Sequence, residues 1–172
     1  MSNTVPLGSI EISSCKTFHH INGVPLYTAR FKQVQKFHEP GLAPVAAIDG
    51  SFHINVQGEA AYQERFLATF GFYQNLSAVI DQHGWQHIRP DGSSLYARHY
   101  RWCGNFQNNT CAVQDKDNNF FHIDLKGERL YQENYRYVGD FRDGVAVVQK
   151  NNGLYSHINI LGQLLHNCWF LD

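Results

Sequence analysis

Long apolar runs are missing from this chain. Nowhere do its 172 residues approach the ~20 consecutive apolar side chains that a membrane-crossing helix needs. The leader MSNTVPLGSIEISS has neither a basic start nor an apolar stretch, so no ordinary secretory signal is expected. An excess of charge is missing too: 14 basic residues stand against 15 acidic ones, a net charge of −1. No global field draws such a chain to nucleic acid or to an anionic membrane, and neither is expected as a partner. Four cysteines, Cys15, Cys103, Cys111 and Cys168, form no CxxC pair and lack the dense spacing of a secreted disulfide framework. They read as reduced thiols of a cytoplasmic protein, with secretion by a route that needs no signal peptide left open. Catalytic signatures are absent as well: there is no G-x-S-x-G, no H-E-x-x-H and no G-x-x-x-x-G-K. Cys103 or Cys111 paired with one of ten histidines is the one nucleophilic arrangement left open, and ten histidines make that coincidence common. No enzyme, catalytic residue or cofactor is therefore expected.

What is present is a repeat. A His-Ile pair recurs at His20-Ile21, His53-Ile54, His87-Ile88, His122-Ile123 and His157-Ile158, with spacings of 33, 34, 35 and 35 residues. Five residues after the His stand Gly58, Gly92, Gly127 and Gly162, with Gly23 in a shorter first copy. Four residues further on come Tyr27, Tyr62, Tyr96 and Tyr131, replaced by His166 in the last copy. Phe31, Phe66, Tyr100, Tyr135 and Phe170 follow, then Phe37, Phe72, Phe106 and Phe141, and a small residue closes each copy at Ala43, Ala78, Ala112 and Ala146. One domain over residues 1–172 is expected, with units near 8–40, 41–75, 76–109, 110–144 and 145–172, the last incomplete.

Each unit reads as short strands around turns. Asp49-Gly50, His83-Gly84, Asn152-Gly153 and Asp117 to Asn119 suit the positive-φ positions of hairpin turns. The segment EAAYQERFLATF has some helical character, but its counterparts LYARHYRWCGNF and LYQENYRYVGDF are aromatic-rich, and an extended reading is preferred. Period-2 alternation puts Phe52, Ile54 and Val56 on the core face and turns the histidines away from it. The fold class expected is all-β: tandem antiparallel hairpin repeats in an elongated, solenoid-like array, with a closed five-bladed propeller-like ring as the alternative.

The phrases FRDGVAVVQKNNGLYSHINILGQLLH and FQNNTCAVQDKDNNFFHIDLKGERLY resemble the bacterial WG-type β-repeat, over about Gly8 to Phe170. Here His replaces the usual aromatic before the Ile, and Gly84-Trp85 alone keeps the namesake residues, in reversed order. The variant with H-I-x-x-x-G-x-x-L-Y-x-x-R-F units is associated with bacterial proteins that sometimes carry a methyltransferase domain, whose glycine-rich signature does not occur here. The resemblance implies a bacterial β-repeat module for binding, and it carries no catalytic motif to transfer.

Two functions of different kinds follow. The first is a non-catalytic module that binds a protein or peptide, with Trp85, Arg89, Arg98, Arg101 and Trp102 as candidate contacts: two indoles and three guanidiniums crowd one repeat and suit carboxylate, phosphate or peptide groups. The second is a small-ligand or metal-binding protein using the row His53, His87 and His122. Against the second stands the structural reading of His20, His53, His87, His122 and His157, in which each imidazole bonds a neighbouring backbone or the Tyr nine residues on. No metal site is assigned, and the oligomeric state is left open.

Overall fold

Fifteen short strands follow one another in the computed structural model, which describes residues 5–171. They form five three-stranded antiparallel sheets: β1 (Glu11–Ile12), β2 (His19–Ile21) and β3 (Val24–Pro25); β4 (Gln33–Val34), β5 (Ala43–Ala47) and β6 (Gly50–Ile54); β7 (Ala68–Tyr73), β8 (Leu76–Asp81) and β9 (Gly84–Ile88); β10 (Trp102–Cys103), β11 (Thr110–Gln114) and β12 (Phe120–Asp124); β13 (Tyr137–Val138), β14 (Val145–Gln149) and β15 (Tyr155–Asn159). The helical element among the described residues is a single 3-10 turn at Leu7–Ser9; the EAAYQERFLATF segment is not helical, but it runs through bends and isolated bridges at Ala60 and Phe66 and becomes a strand only from Ala68. Chain contacts divide the protein into two compact units, Met1–His83 with His87–Ser94 and Gly84–Gln86 with Leu95–Asp172.

The hairpins form where the turn residues demand them. Gly50 (φ 132°), Gly84 (φ 129°), Asn118 (φ 67°) and Gly153 (φ 87°) supply the positive φ that joins each middle strand to the His-Ile strand. The sheets are displaced from the sequence units: β4, β7, β10 and β13 each come from the tail of the preceding unit and pair with the next hairpin. Consecutive repeats are thereby laced together by backbone hydrogen bonds, such as Gln35 N–H to Pro44 O at 2.9 Å and Gly139 N–H to Val147 O at 2.8 Å.

Register corrects two of the alignments drawn from sequence. Pro44, Ala112 and Val147 stand opposite His53, His122 and His157, and in the first sheet Ile12 stands opposite His19. His19, not His20, is thus the first copy of the repeated histidine. Its tyrosine follows after 8 residues instead of 9, so the frame slips by one. His20 takes the place of the buried isoleucine and lies partly exposed, its Nδ1 3.5 Å from Glu11. In the fourth repeat Cys111, not Ala112, faces the isoleucine, as Ala43 and Ala146 do.

Burial corrects a third expectation. Ile54, Ile88, Ile123 and Ile158 are fully buried, each worth about 1.5–3 kcal/mol relative to exposure. The histidines, on the face opposite the isoleucines, are covered as well: His19, His53, His87 and His122 are also 0% exposed. Alternation separates the two faces of the strand, but both faces are covered. In the first compact unit the core joins Tyr27, Val45, Phe52, Ile54, Tyr62, Phe66 and Val79.

The repeated glycines hold the repeats at contact distance. A Cβ on Gly58 would lie 2.6 Å from Tyr27 Cγ, one on Gly92 2.7 Å from Tyr62 Cγ, and one on Gly162 2.4 Å from Tyr131 Cβ. Each tyrosine therefore lies flat on the glycine turn of the following repeat, where no other residue leaves room.

Candidate binding groove and the buried histidine row

The histidine row is built the same way at His19, His53 and His122. Nδ1 of His19 meets Tyr27 Oη at 2.6 Å, His53 meets Tyr62, and His122 meets Tyr131 at 2.6 Å. Nε2 lies 2.8 Å from a backbone carbonyl in or just after the first strand of the next sheet: Gln35 O, Phe70 O and Gly139 O, respectively. A carbonyl only accepts, so Nε2 carries the proton, and the lone pair of Nδ1 accepts from the tyrosine hydroxyl. Phe37, Phe72 and Phe141 then cover the rings at centroid distances of 4.5, 4.6 and 4.4 Å. Burial disfavours the imidazolium, pushing His53 and His122 down to about 4 and lowering His19. The same burial raises Tyr62 and Tyr131, and raises Tyr27 to about 12.

The last repeat reverses the polarity of this pair. His166 stands in place of the tyrosine, its Nδ1 3.1 Å from Cys168 O and its Nε2 3.1 Å from His157 Nδ1. The carbonyl requires the proton on His166 Nδ1, so in the neutral ring Nε2 accepts and His157 donates from Nδ1.

These bonds leave His19, His53 and His122 with no ring nitrogen to offer a ligand. Both nitrogens of His19, His53 and His122 are engaged and none is accessible. Among the described residues no three His, Cys, Asp or Glu side chains gather where one metal ion would fit. All four cysteines are free; burial raises Cys103 to about 12 and raises Cys111. Cys15 is exposed, and hydrogen bonds from Ser13 and Thr17 lower it to about 7.

The concave feature with the clearest chemistry lies in the second compact unit. A groove of about 430 Å³ is lined by Trp102, Ala112, Gln114, Phe120, Tyr137, Val138, Gly139 and Asp140. Sheet register explains it. Trp102 pairs with Gln114, and Gln114 with Phe120, so the three side chains form one row across β10, β11 and β12. Tyr137 comes from the first strand of the following sheet. The Trp102 and Phe120 rings lie 6.1 Å apart at 53°, and those of Phe120 and Tyr137 6.3 Å apart at 54°, tilted and not face-to-face pairs. Glycines shape the rest: a Cβ on Gly104 would come within 3.1 Å of the Trp102 indole, and one on Gly139 within 3.6 Å of the Tyr137 hydroxyl. Trp102 is 39% exposed and Tyr137 47%, large areas for residues that repeat packing normally covers.

Of the five candidate contacts, Trp102 lines this groove. Arg89 is held in its own turn by Ser94 O at 2.7 Å and Ser93 Oγ at 3.4 Å. Trp85 is half-buried and exchanges backbone hydrogen bonds with Tyr100, while Arg98 and Arg101 are exposed and outside the lining. Phe120, Tyr137 and Asp140 escaped sequence reasoning as site residues. Their signal was the pair of phrases Trp102-Cys103-Gly104 and Tyr137-Val138-Gly139, 35 residues apart, where the preceding copy has Ala68-Thr69-Phe70.

Fold and groove define a tandem β-repeat protein of three-stranded antiparallel sheets locked by buried His-Tyr pairs. Residues 123–155 match the family model described as WG containing repeat, and this segment carries a WG-type β-repeat. Solved structures give the likeness in fold. BamB from Moraxella catarrhalis aligns with TM-score 0.54 and 10% identity over 86% of this chain and 53% of its own, so the chain spans about half of BamB. The computationally designed Ika4 protein aligns with TM-score 0.51 and 14% identity over 80% of this chain and 98% of its own. The WD40 β-propeller domain of Doa1 aligns over 95% of this chain and 64% of its own at 12% identity, with a TM-score of 0.41, too loose to carry an argument. A search of curated sequences returns no match. Among the described residues no helix is long and apolar enough to cross a membrane.

Proposed function

We propose that this protein is a non-catalytic interaction module that takes a segment of a protein or peptide partner into the groove of Trp102, Phe120 and Tyr137. The observation that carries the reading is the exposure of Trp102 and Tyr137 side by side over one concave, mostly apolar surface, whereas the repeat tyrosines Tyr27, Tyr62 and Tyr131 are buried. The WG-type repeat and the likeness to repeat β-folds support a binding role. The free cysteines, two of them buried thiols, support a reducing, cytoplasmic setting, and the resemblance to bacterial WG-type repeats supports a bacterial one.

The test is affinity capture with the intact chain and with the Trp102→Ala and Tyr137→Ala variants. One dominant partner retained by the parent chain and lost by both variants, with melting temperatures unchanged, supports the reading. A partner held equally by the variants, or a large loss of stability in them, overturns it.

A further inference from the structure

We infer that the groove selects an organic cation, the ammonium end of a lysine or the guanidinium of an arginine, from the segment it holds. The inference deepens the reading of the groove as a peptide site and rests on it. Three rings, Trp102, Phe120 and Tyr137, present themselves to one space, and the face of each carries the negative side of its quadrupole. Asp140, exposed at the same groove, is the one ionisable carboxylate of the lining, and no lysine, arginine or histidine stands among the lining residues. Gln114, in the middle of the row, brings an amide oxygen as a further acceptor. An anion would meet π-faces and a carboxylate with no cation to receive it, whereas a cation meets complementary charge on every charged or aromatic wall.

The chain shows the same chemistry in its own packing. The Arg30 guanidinium lies 4.0 Å from the Phe18 ring centroid, Arg65 3.8 Å from Phe52 and Arg129 3.8 Å from Phe121. Among the described residues no lysine or arginine of the chain is stacked in this way on Trp102, Phe120 or Tyr137. The groove offers faces of that kind for a cation from elsewhere. A lysine or arginine side chain also brings an apolar stem, which suits Ala112 and Val138 along the wall.

The experiment titrates the full chain with n-butylammonium and methylguanidinium, and with the uncharged n-butanol and the anionic butanoate as partners of matched size. The readout is the NMR shift of the Trp102 indole N–H and of the Gly139 and Asp140 amides. The expected result is saturable shifts with both cations, at least about tenfold tighter than any response to butanol or butanoate. Asp140→Asn weakens the cation several-fold, and Tyr137→Ala removes saturation at the two amides. Butanol binding as tightly as butylammonium overturns the cation inference and leaves a merely apolar peptide groove. Preference for butanoate, or no saturation with either cation, also overturns it; capture of a partner by the parent chain and not by the Trp102→Ala variant then still decides the peptide reading separately.

Discussion

Tyr131 donates its hydroxyl hydrogen to Nδ1 of His122 at 2.6 Å, while the same imidazole donates from Nε2 to Gly139 O at 2.8 Å. One ring thus ties its own sheet to the backbone just after the first strand of the next sheet, and Phe141 closes over it at 4.4 Å. Each polar atom of the ring is satisfied, which is what allows a histidine to be buried completely.

The two bonds are coupled because the Nε2–H tautomer that serves the carbonyl is the one whose Nδ1 accepts from the tyrosine. In a double-mutant cycle, Tyr131→Phe is expected to cost about 1 kcal/mol and His122→Phe about 2–4 kcal/mol, the latter leaving Tyr131 Oη and Gly139 O unpaired. The double variant is expected to cost at least about 1 kcal/mol less than the sum. Urea unfolding measures all three, and strict additivity would show that the pair is not a unit.

Acid unfolding is expected to begin well above the carboxylate range. His53 and His122 ionise at about 4 in the folded chain against an ordinary 6.5, so the unfolded state binds more protons between those values. Stability contributed by the neutral rings is full above pH 6.5 and is lost as pH falls towards 4, by a few kcal/mol per ring. At the alkaline end Tyr27, raised from 10 to about 12, favours the folded state below pH 10 and loses that contribution as pH rises to 12. Buried Cys103, raised from 9 to about 12, adds to the alkaline loss from pH 9 upward, so melting temperature is expected to fall above about pH 9 and also between 6.5 and 4, the acid fall being shallower in His122→Phe.

Gly23 and Gly58 have nearly the same backbone, φ 79° and 78°, yet a Cβ on Gly23 meets nothing within 4 Å while one on Gly58 meets Tyr27 Cγ at 2.6 Å. Gly23→Ala is expected to cost about 1–2 kcal/mol from the left-handed conformation alone. Gly58→Ala should cost at least about 2 kcal/mol more, because Tyr27 is held at its Cβ and cannot rotate away. Equal losses in thermal or urea unfolding would refute the packing role of this glycine.

Replacing His166 by Tyr puts the residue of the other repeats into the last one. The hydroxyl would donate to His157 Nδ1, and the tautomer of His157 would flip to the one held by His53 and His122. A gain of about 0.5–1 kcal/mol is expected. Nitrogen-15 shifts of the His157 ring report the flip directly, and an unchanged tautomer would contradict the assigned polarity.

Much of the fold was legible in the chain because it is said five times over. The period, the hairpin turns at Gly50, Gly84 and Gly153, and the buried isoleucines follow from glycine chemistry and period-2 alternation acting within a few residues. The pairing of His53 and His122 with the Tyr nine residues on was readable for the same reason. The choice between His19 and His20 was not, because a one-residue shortening before Tyr27 moves the frame and the adjacent histidines look alike in sequence. Nor was the burial of the histidine face, since alternation separates the two faces of a strand but does not say whether a neighbour covers one or both.

The candidate site divides along the same line. Sequence singled out Trp102 as a departure from the repeat, but its partners lie in three other strands: Gln114, Phe120 and Tyr137. Their convergence depends on strand register and on the first strand of each sheet coming from the preceding repeat. What the sequence by itself determined is the repeating local structure, set by turn geometry and hydrophobic alternation. Which histidine is buried, which tyrosine covers which glycine, and which rings line the groove were decided by the tertiary structure. Those contacts join residues 16 or more positions apart, and one step of register carries every side chain of a strand to its other face.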